Sequence, residues 1–173
     1  ENARSVRGIL EMAETIPDVA IRYEDFDANP WLLNVHNGTV DLRTGTLYPH
    51  RREDYLTQIT TVPYEPDATA PQWQEFLNTI FDHDEALIGY VQRVVGYALT
   101  GDTSERAFFL AYGPGRNGKS LFLEVLAAVL GDIAAAVNPE ALLQQRSALH
   151  PTDLAMLRGK RFVYAQEPPE GRR

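Results

Sequence analysis

An α/β protein is predicted, with a mixed α+β N-terminal region of β-hairpins and a helical pair, followed by a parallel-sheet module that opens on a glycine-rich loop. Three observations predict it. Short apolar runs separated by Asn-Gly and Thr-Gly turns fill residues 30–50. Between residues 71 and 99, apolar residues recur at i, i+3, i+4 and i+7, the spacing of one buried helix face. From Ala107 onward, continuous apolar runs of strand length alternate with helical patterns, as in sheets covered on both faces. Residues 1–102 are therefore assigned to an N-terminal α+β/helical domain and 103–173 to the first part of the parallel-sheet module.

Taken in order, Val6, Ile9, Leu10 and Ala13 predict a first amphipathic helix ending before Pro17. Leu32–Val35, Thr39–Leu42 and Thr46–Tyr48 are strand candidates forming a small meander, with His36-Asn37-Gly38 and Arg43-Thr44-Gly45 between them. Asn-Gly favours a tight hairpin because both residues tolerate positive φ. Pro63, Pro66 and Pro71 mark a linker, and Pro71 suits the first turn of the helix that follows. That helix carries Trp73, Phe76, Leu77, Ile80 and Phe81 on one stripe. A second helix carries Leu87, Ile88, Val91, Val94, Val95, Ala98 and Leu99, with Asp82 to Asp84 as cap candidates and Gly101 as a stop. Stripes this wide are expected to bury in a core.

Phe108-Phe-Leu-Ala-Tyr112 is the first expected buried parallel strand, and Ser120–Leu130 is an expected helix closed by Gly131. Asn138-Pro139 opens a short helix through Leu143, and Asp153–Leu157 gives another. Arg161-Phe-Val-Tyr-Ala165 is the second expected buried strand.

The chain has 173 residues, 44% hydrophobic and 23% charged, enough for one medium domain or two small ones. No apolar run approaches the roughly 18 residues of a membrane span, and no secretory leader opens the chain. With no cysteine, a disulfide scaffold and thiolate metal sites are excluded. The expectation is an intracellular, cytoplasmic protein without membrane contact. A net charge of -8 argues against holding nucleic acid by bulk electrostatics. The charge is uneven: residues 1–70 carry 6 basic and 12 acidic groups, whereas 146–173 carry 6 basic and 3 acidic. The chain opens on Glu1 and stops at Arg173 just after a strand candidate, so an excerpt of a longer protein is expected.

Gly113, Pro114, Gly115, Arg116, Asn117, Gly118, Lys119 and Ser120 spell a complete phosphate-binding loop, Gly-x-x-x-x-Gly-Lys-Ser, between an expected strand and an expected helix. Glycines let consecutive N–H groups turn inward, and the following helix presents its positive end to phosphates. In such a loop, Lys119 reaches the β- and γ-phosphates of ATP and the Ser120 hydroxyl ligates Mg²⁺. The chain uses 14 Arg and only 2 Lys, which makes a lysine at this position pointed. Glu167 ends the second apolar strand, 47 positions after Ser120. A carboxylate there suits a hydrolase that must orient water and support the magnesium shell, so Lys119 and Glu167 are the catalytic candidates, and Ser120 and Glu167 the metal candidates. Glu170, beyond two prolines, is the poorer acid. The four histidines show no ligand spacing. These residues alone leave open an ATPase, a small phosphate-loop kinase, or a non-catalytic nucleotide-responsive assembly module.

The segments WLLNVHNGTVDLRTGTLYPH, VVGYALTGDTSERAFFLAYGPGRNGKS and LAMLRGKRFVYAQEPPEG, in that order and spacing, resemble the helicase part of phage and plasmid primase-helicases, relatives of the poxvirus replicative helicase. That family belongs to helicase superfamily 3, whose motor is a modified AAA+ module, and the resemblance covers essentially the whole chain. It implies an incomplete AAA+-like nucleotide module, with Gly113 to Ser120 as the nucleotide loop and Glu167 as the acid of the second motif. The sequence departs from the common Asp-Glu pair, having Gln166 before Glu167. The family's sensor asparagine, trans-acting arginine and DNA-gripping loop would fall beyond Arg173. The whole protein implied is a homo-hexameric ring that hydrolyses ATP and pulls single-stranded DNA through its centre. This piece alone is expected to bind nucleotide weakly and turn it over slowly.

Overall fold

The computed structural model describes residues 3–17, 19–139 and 155–166. Helix α1 spans Ala3–Ala13, as its periodicity predicts, but Val6, Ile9 and Leu10 on its apolar stripe are exposed. Strands β1 (Leu32–Val35), β2 (Gly38–Asp41) and β3 (Thr46–Tyr48) form the expected antiparallel meander in the order β1-β2-β3. Leu33 pairs with Val40 and Val40 with Leu47. Since successive side chains point to opposite faces, this register turns Leu33, Val35 and Val40 inward, and all three are buried.

The first hairpin turns by a means different from the one expected. Val35 pairs with Gly38, leaving His36 and Asn37 as the loop, and neither has a positive φ. Asn37 instead uses its side-chain amide: Nδ2 donates to the Tyr64 carbonyl at 3.0 Å and Oδ1 accepts from the Tyr64 amide at 2.8 Å. This pairing belongs to a longer seam. Residues 58–64 run beside β1, joined by Asn34 Nδ2 to Gln58 O (3.1 Å), Thr60 N to Asn34 O (3.1 Å) and His36 N to Val62 O (3.2 Å). The segment thus supplies partners to an otherwise open sheet edge.

Helix α2 (Pro71–Ile80) has Pro71 in its first turn, where the missing N–H costs nothing. Helix α3 (Glu85–Leu99) is capped by Asp84, whose carboxylate accepts from the Leu87 amide at 3.0 Å. Its last helical residue is Leu99, and the extended cap residue Thr100 leads directly into Gly101, the expected stop. The stripes are less covered than their width implies. Leu77 is the buried residue of α2, and α3 has none.

Helix α4 (Lys119–Leu130) closes on Gly131 at φ 56°, as expected. One 3-10 turn later, β4 (Ala134–Val137) pairs in parallel with β5 (Phe162–Ala165), from Ala134 opposite Phe162 to Val137 opposite Ala165. The second expected strand is present. The first is not: Phe108–Tyr112 forms no strand, and Phe108, Leu110 and Tyr112 are 79%, 73% and 89% exposed. An apolar run becomes a strand only where a neighbour completes its ladder. Here β4 and β5 take each other, and no described strand lies beside 108–112. The helix expected from Asn138 to Leu143 lies outside the described residues beyond Pro139. Of Asp153–Leu157 only the last three residues are described, and they enter a turn.

The core lies between the meander and the end of α4. Leu33, Val35 and Val40 cluster with Leu130 and Ile133, and Leu42, Leu47, Tyr64, Leu99 and Phe162 pack around them. One core therefore draws on residues from both sides of position 102. Polar contacts reinforce the junction. Thr61 Oγ1 donates to the Ala128 carbonyl at 2.6 Å, and the Asp132 amide donates to Ile59 O at 3.2 Å. Just before β5, Arg161 sends its guanidinium into three backbone carbonyls: Leu32 at 2.7 Å, Leu99 at 2.8 Å and Pro30 at 3.3 Å. Lys160 Nζ reaches Gln58 Oε1 at 2.9 Å. Among the described residues, no helix is long and apolar enough to cross a membrane.

Candidate phosphate-binding site

The loop from Gly113 to Gly118 leads directly into α4. Gly118, the residue before the helix, has φ 83°, a left-handed conformation that L side chains adopt only with strain. It brings no side chain to cap α4, so the first amides of the helix are left for an external acceptor. Gly113 to Arg116 are exposed, while Asn117, Gly118 and Lys119 are half-buried and Ser120 is exposed. A Cβ on Gly115 would meet no other atom within 4 Å, so the backbone there faces open space.

Lys119 folds back across the loop. Its Nζ donates to the carbonyls of Gly113 (3.0 Å) and Pro114 (3.1 Å) and to Asn117 Oδ1 (2.7 Å). The three acceptors fix a cation at the mouth of a ring of backbone, where an anion would meet both the ammonium charge and the helix end. Asn117 has a second function visible only in three dimensions: a Cβ on Gly113 would come within 2.6 Å of Asn117 Nδ2. The asparagine amide occupies the space above the first glycine of the loop.

The sequence-predicted residues Gly113 to Ser120 are thus together at one end of α4. The end of β5 approaches them: Gln166, immediately after that strand, sends Nε2 to the Ser120 carbonyl at 3.4 Å. Glu167, the predicted catalytic and magnesium-supporting acid, lies outside the described residues, as does Glu170. Sequence reasoning missed the contribution of α2. Phe76 and Ile80 lie against Gly118, and Trp73 stacks on Phe122, with ring centroids 5.6 Å apart and planes 16° from parallel. Phe81 meets Phe122 edge-on at 6.3 Å. The signal was the aromatic density of that helix, which a core stripe shares.

A cavity of about 580 Å³ lies elsewhere, lined by Phe26, His50, Tyr55 and neighbours. Two of the polar groups near it are held by the protein itself, with His50 Nε2 2.9 Å from Val35 O and Asn34 Nδ2 donating to the Gln58 carbonyl.

Residues 1–82 match a family model described as D5 N terminal like. Over 150 residues the chain is 29% identical to a putative helicase of Acanthamoeba polyphaga mimivirus, an alignment covering 83% of this chain and 16% of that protein. Over 169 residues it is 28% identical to a putative primase of African swine fever virus, covering 93% of this chain and 18% of that protein. The chain spans less than a fifth of the length of these curated relatives. Its first 82 residues are similar to the D5 N terminal segment, and most of its length is similar to viral proteins named putative helicase and putative primase.

Proposed function

We propose that this chain contains the ATP-binding part of a replicative DNA helicase of the primase-helicase kind, in which ATP hydrolysis drives translocation along single-stranded DNA. The observation that carries the reading is the Gly113–Ser120 loop at the start of α4, with the Lys119 ammonium held over its backbone by three oxygens at 2.7 to 3.1 Å. The similarity to viral proteins named putative helicase and putative primase supports the choice of helicase over a generic nucleotide-binding protein.

In this reading the loop amides and the first turn of α4 hold the triphosphate tail. Lys119 leaves its backbone acceptors and neutralises the β- and γ-phosphates, and Ser120 offers its hydroxyl to Mg²⁺. The magnesium ion supplies charge neutralisation across the phosphates. Glu167 is the acid that orients water or supports the magnesium shell. The residues fit that group: the loop presents its backbone to open space at Gly115, carries two cations, Arg116 and Lys119, and has no carboxylate among its eight positions. In the longer protein the partners are single-stranded DNA and further copies of the same chain, arranged as a homo-hexamer in the cytoplasm.

The test is nucleotide binding and hydrolysis by this chain and by a version extended beyond Arg173, each with and without single-stranded DNA. Saturable Mg-ATP binding that is lost in Lys119→Ala is expected, with DNA-stimulated hydrolysis confined to the extended form. Phosphate transfer to a small acceptor, or binding indifferent to Lys119, would overturn the reading.

A further inference from the structure

We propose that helix α2 is a working part of the nucleotide site, in which Phe76 and Ile80 seat Gly118 and thereby position the Lys119 ammonium and the Ser120 hydroxyl. This rests on the nucleotide reading above. It adds that the loop is shaped from outside, by a helix belonging to the segment that matches the D5 N terminal like model.

The contacts are close. A Cβ on Gly118 would lie 2.6 Å from Ile80 Cγ2 and 3.3 Å from Phe76 Cε2, so α2 leaves room there for a glycine and nothing larger. Beyond Gly118, the contact continues onto α4, where Trp73 stacks on Phe122 at 5.6 Å and Phe81 abuts the same ring. Phe122 is two residues after Ser120, and its amide donates to the Gly118 carbonyl at 2.9 Å, closing the first turn. The apolar stripe of α2 is otherwise poorly used. Leu77 alone is buried, while Trp73, Phe76, Ile80 and Phe81 are half-buried. A helix that served only the core would bury that stripe more completely.

Glycine is the residue least confined by its own backbone, so a glycine held at φ 83° depends on its neighbours to stay there. Shortening Ile80 or Phe76 opens space over Gly118 and frees the loop to leave the geometry that aims its amides and its lysine. Affinity then falls, because ordering the loop becomes part of binding. Phe76 and Ile80 are positioning residues in this scheme and touch no phosphate.

The experiment uses the chain with Trp31→Phe, leaving Trp73 as the one indole, since the sequence holds two tryptophans. Titration with Mg-ATP, followed by Trp73 emission and by calorimetry, gives the parent Kd. We expect the emission to change with the same midpoint as the heat. Ile80→Ala and Phe76→Ala should each raise Kd on the order of tenfold, with Ile80→Val restoring most of it. Val40→Ala, in the meander core, should lower the melting temperature and leave Kd unchanged, which separates positioning from general stability. Ile80→Ala carries the test if Phe76→Ala does not fold. Saturable binding whose Kd shifts by less than about twofold in the folded Ile80 variant would overturn this inference alone. Absence of Mg-ATP binding in the parent, with Lys119→Ala indistinguishable from it, would sink the nucleotide reading and this inference together.

Discussion

Replacing Arg161 by methionine removes a guanidinium that enters the junction between β5 and the N-terminal region. Its Nη2 donates to Leu32 O at 2.7 Å and its Nη1 to Leu99 O at 2.8 Å; the contact to Pro30 O, at 3.3 Å, is long enough to count for little. Hydrogen bonds from a charged donor contribute about 1.5–3 kcal/mol each, so the two short ones represent about 3–6 kcal/mol before offsets. One offset is visible. Burial pushes the Arg161 pKa down, the mark of a desolvated cation, and the charge of Asp27 only partly opposes it. Methionine escapes that desolvation and fills much of the same space, which leaves a net loss of about 2–4 kcal/mol. At about 2–4 °C per kcal/mol for a chain of this size, thermal unfolding followed by circular dichroism should shift down by about 5–15 °C. Arg161→Lys should fall between, because one ammonium lacks the planar fork that serves two carbonyls at once. A shift below about 2 °C for methionine would refute the reasoning, since that is the size of an ordinary surface substitution. A lysine variant as stable as the parent would refute the role assigned to the fork.

Asp84→Ala removes the cap of α3 and should cost about 1 kcal/mol, read as a shift of a few degrees in the same melt; an unchanged melt would show the cap to be idle. Ile133→Ala, at a site 2% exposed, should cost about 2–5 kcal/mol in urea unfolding, and a loss under 1 kcal/mol would contradict its place in the shared core. Arg43, by hydrogen bonds from its guanidinium first and from its backbone amide second, holds the Asp41 carboxyl below the usual aspartate range. Because the folded value is the lower one, the pair's contribution is complete above the unfolded aspartate pKa and is lost as pH falls through the folded value. An NMR titration of the Asp41 carboxyl should therefore show a midpoint below that of a free aspartate, moving up in Arg43→Ala; coincident midpoints would dismiss the interaction.

Elements whose signal is local were legible in the sequence. Pro71 and the Trp73-Phe76-Leu77-Ile80 spacing announce α2, Asp84 announces the start of α3, and Gly131 the end of α4. The meander is legible from period-two runs, to within one residue for β2. What depends on a distant neighbour was not. Ala134–Val137 is a strand because Phe162–Ala165 lies beside it, although alanine has little strand preference of its own. Phe108–Tyr112 has the composition of a buried strand and is exposed for want of such a neighbour. The Asn37 turn misled in a similar way: its residue type suits a positive φ, but here it is used for an amide pair with Tyr64, 27 positions away. At the candidate site, the start of α4 after the glycine-rich loop was legible to within one residue, Ser120 expected and Lys119 found. The packing of α2 on Gly118 was not, because the same aromatic stripe would serve any core.

The solvent-facing run upstream of Gly113 makes the loop a one-armed structure, anchored through α4 on one side and unsupported on the other. Fixing a residue's backbone costs about 1–2 kcal/mol, and a ligand that stiffens the loop must carry part of that cost for the residues leading into it. Whatever lays a strand along residues 108–112 removes the cost beforehand. Thermodynamic reciprocity then requires ligand capture and strand addition to strengthen each other by the same factor.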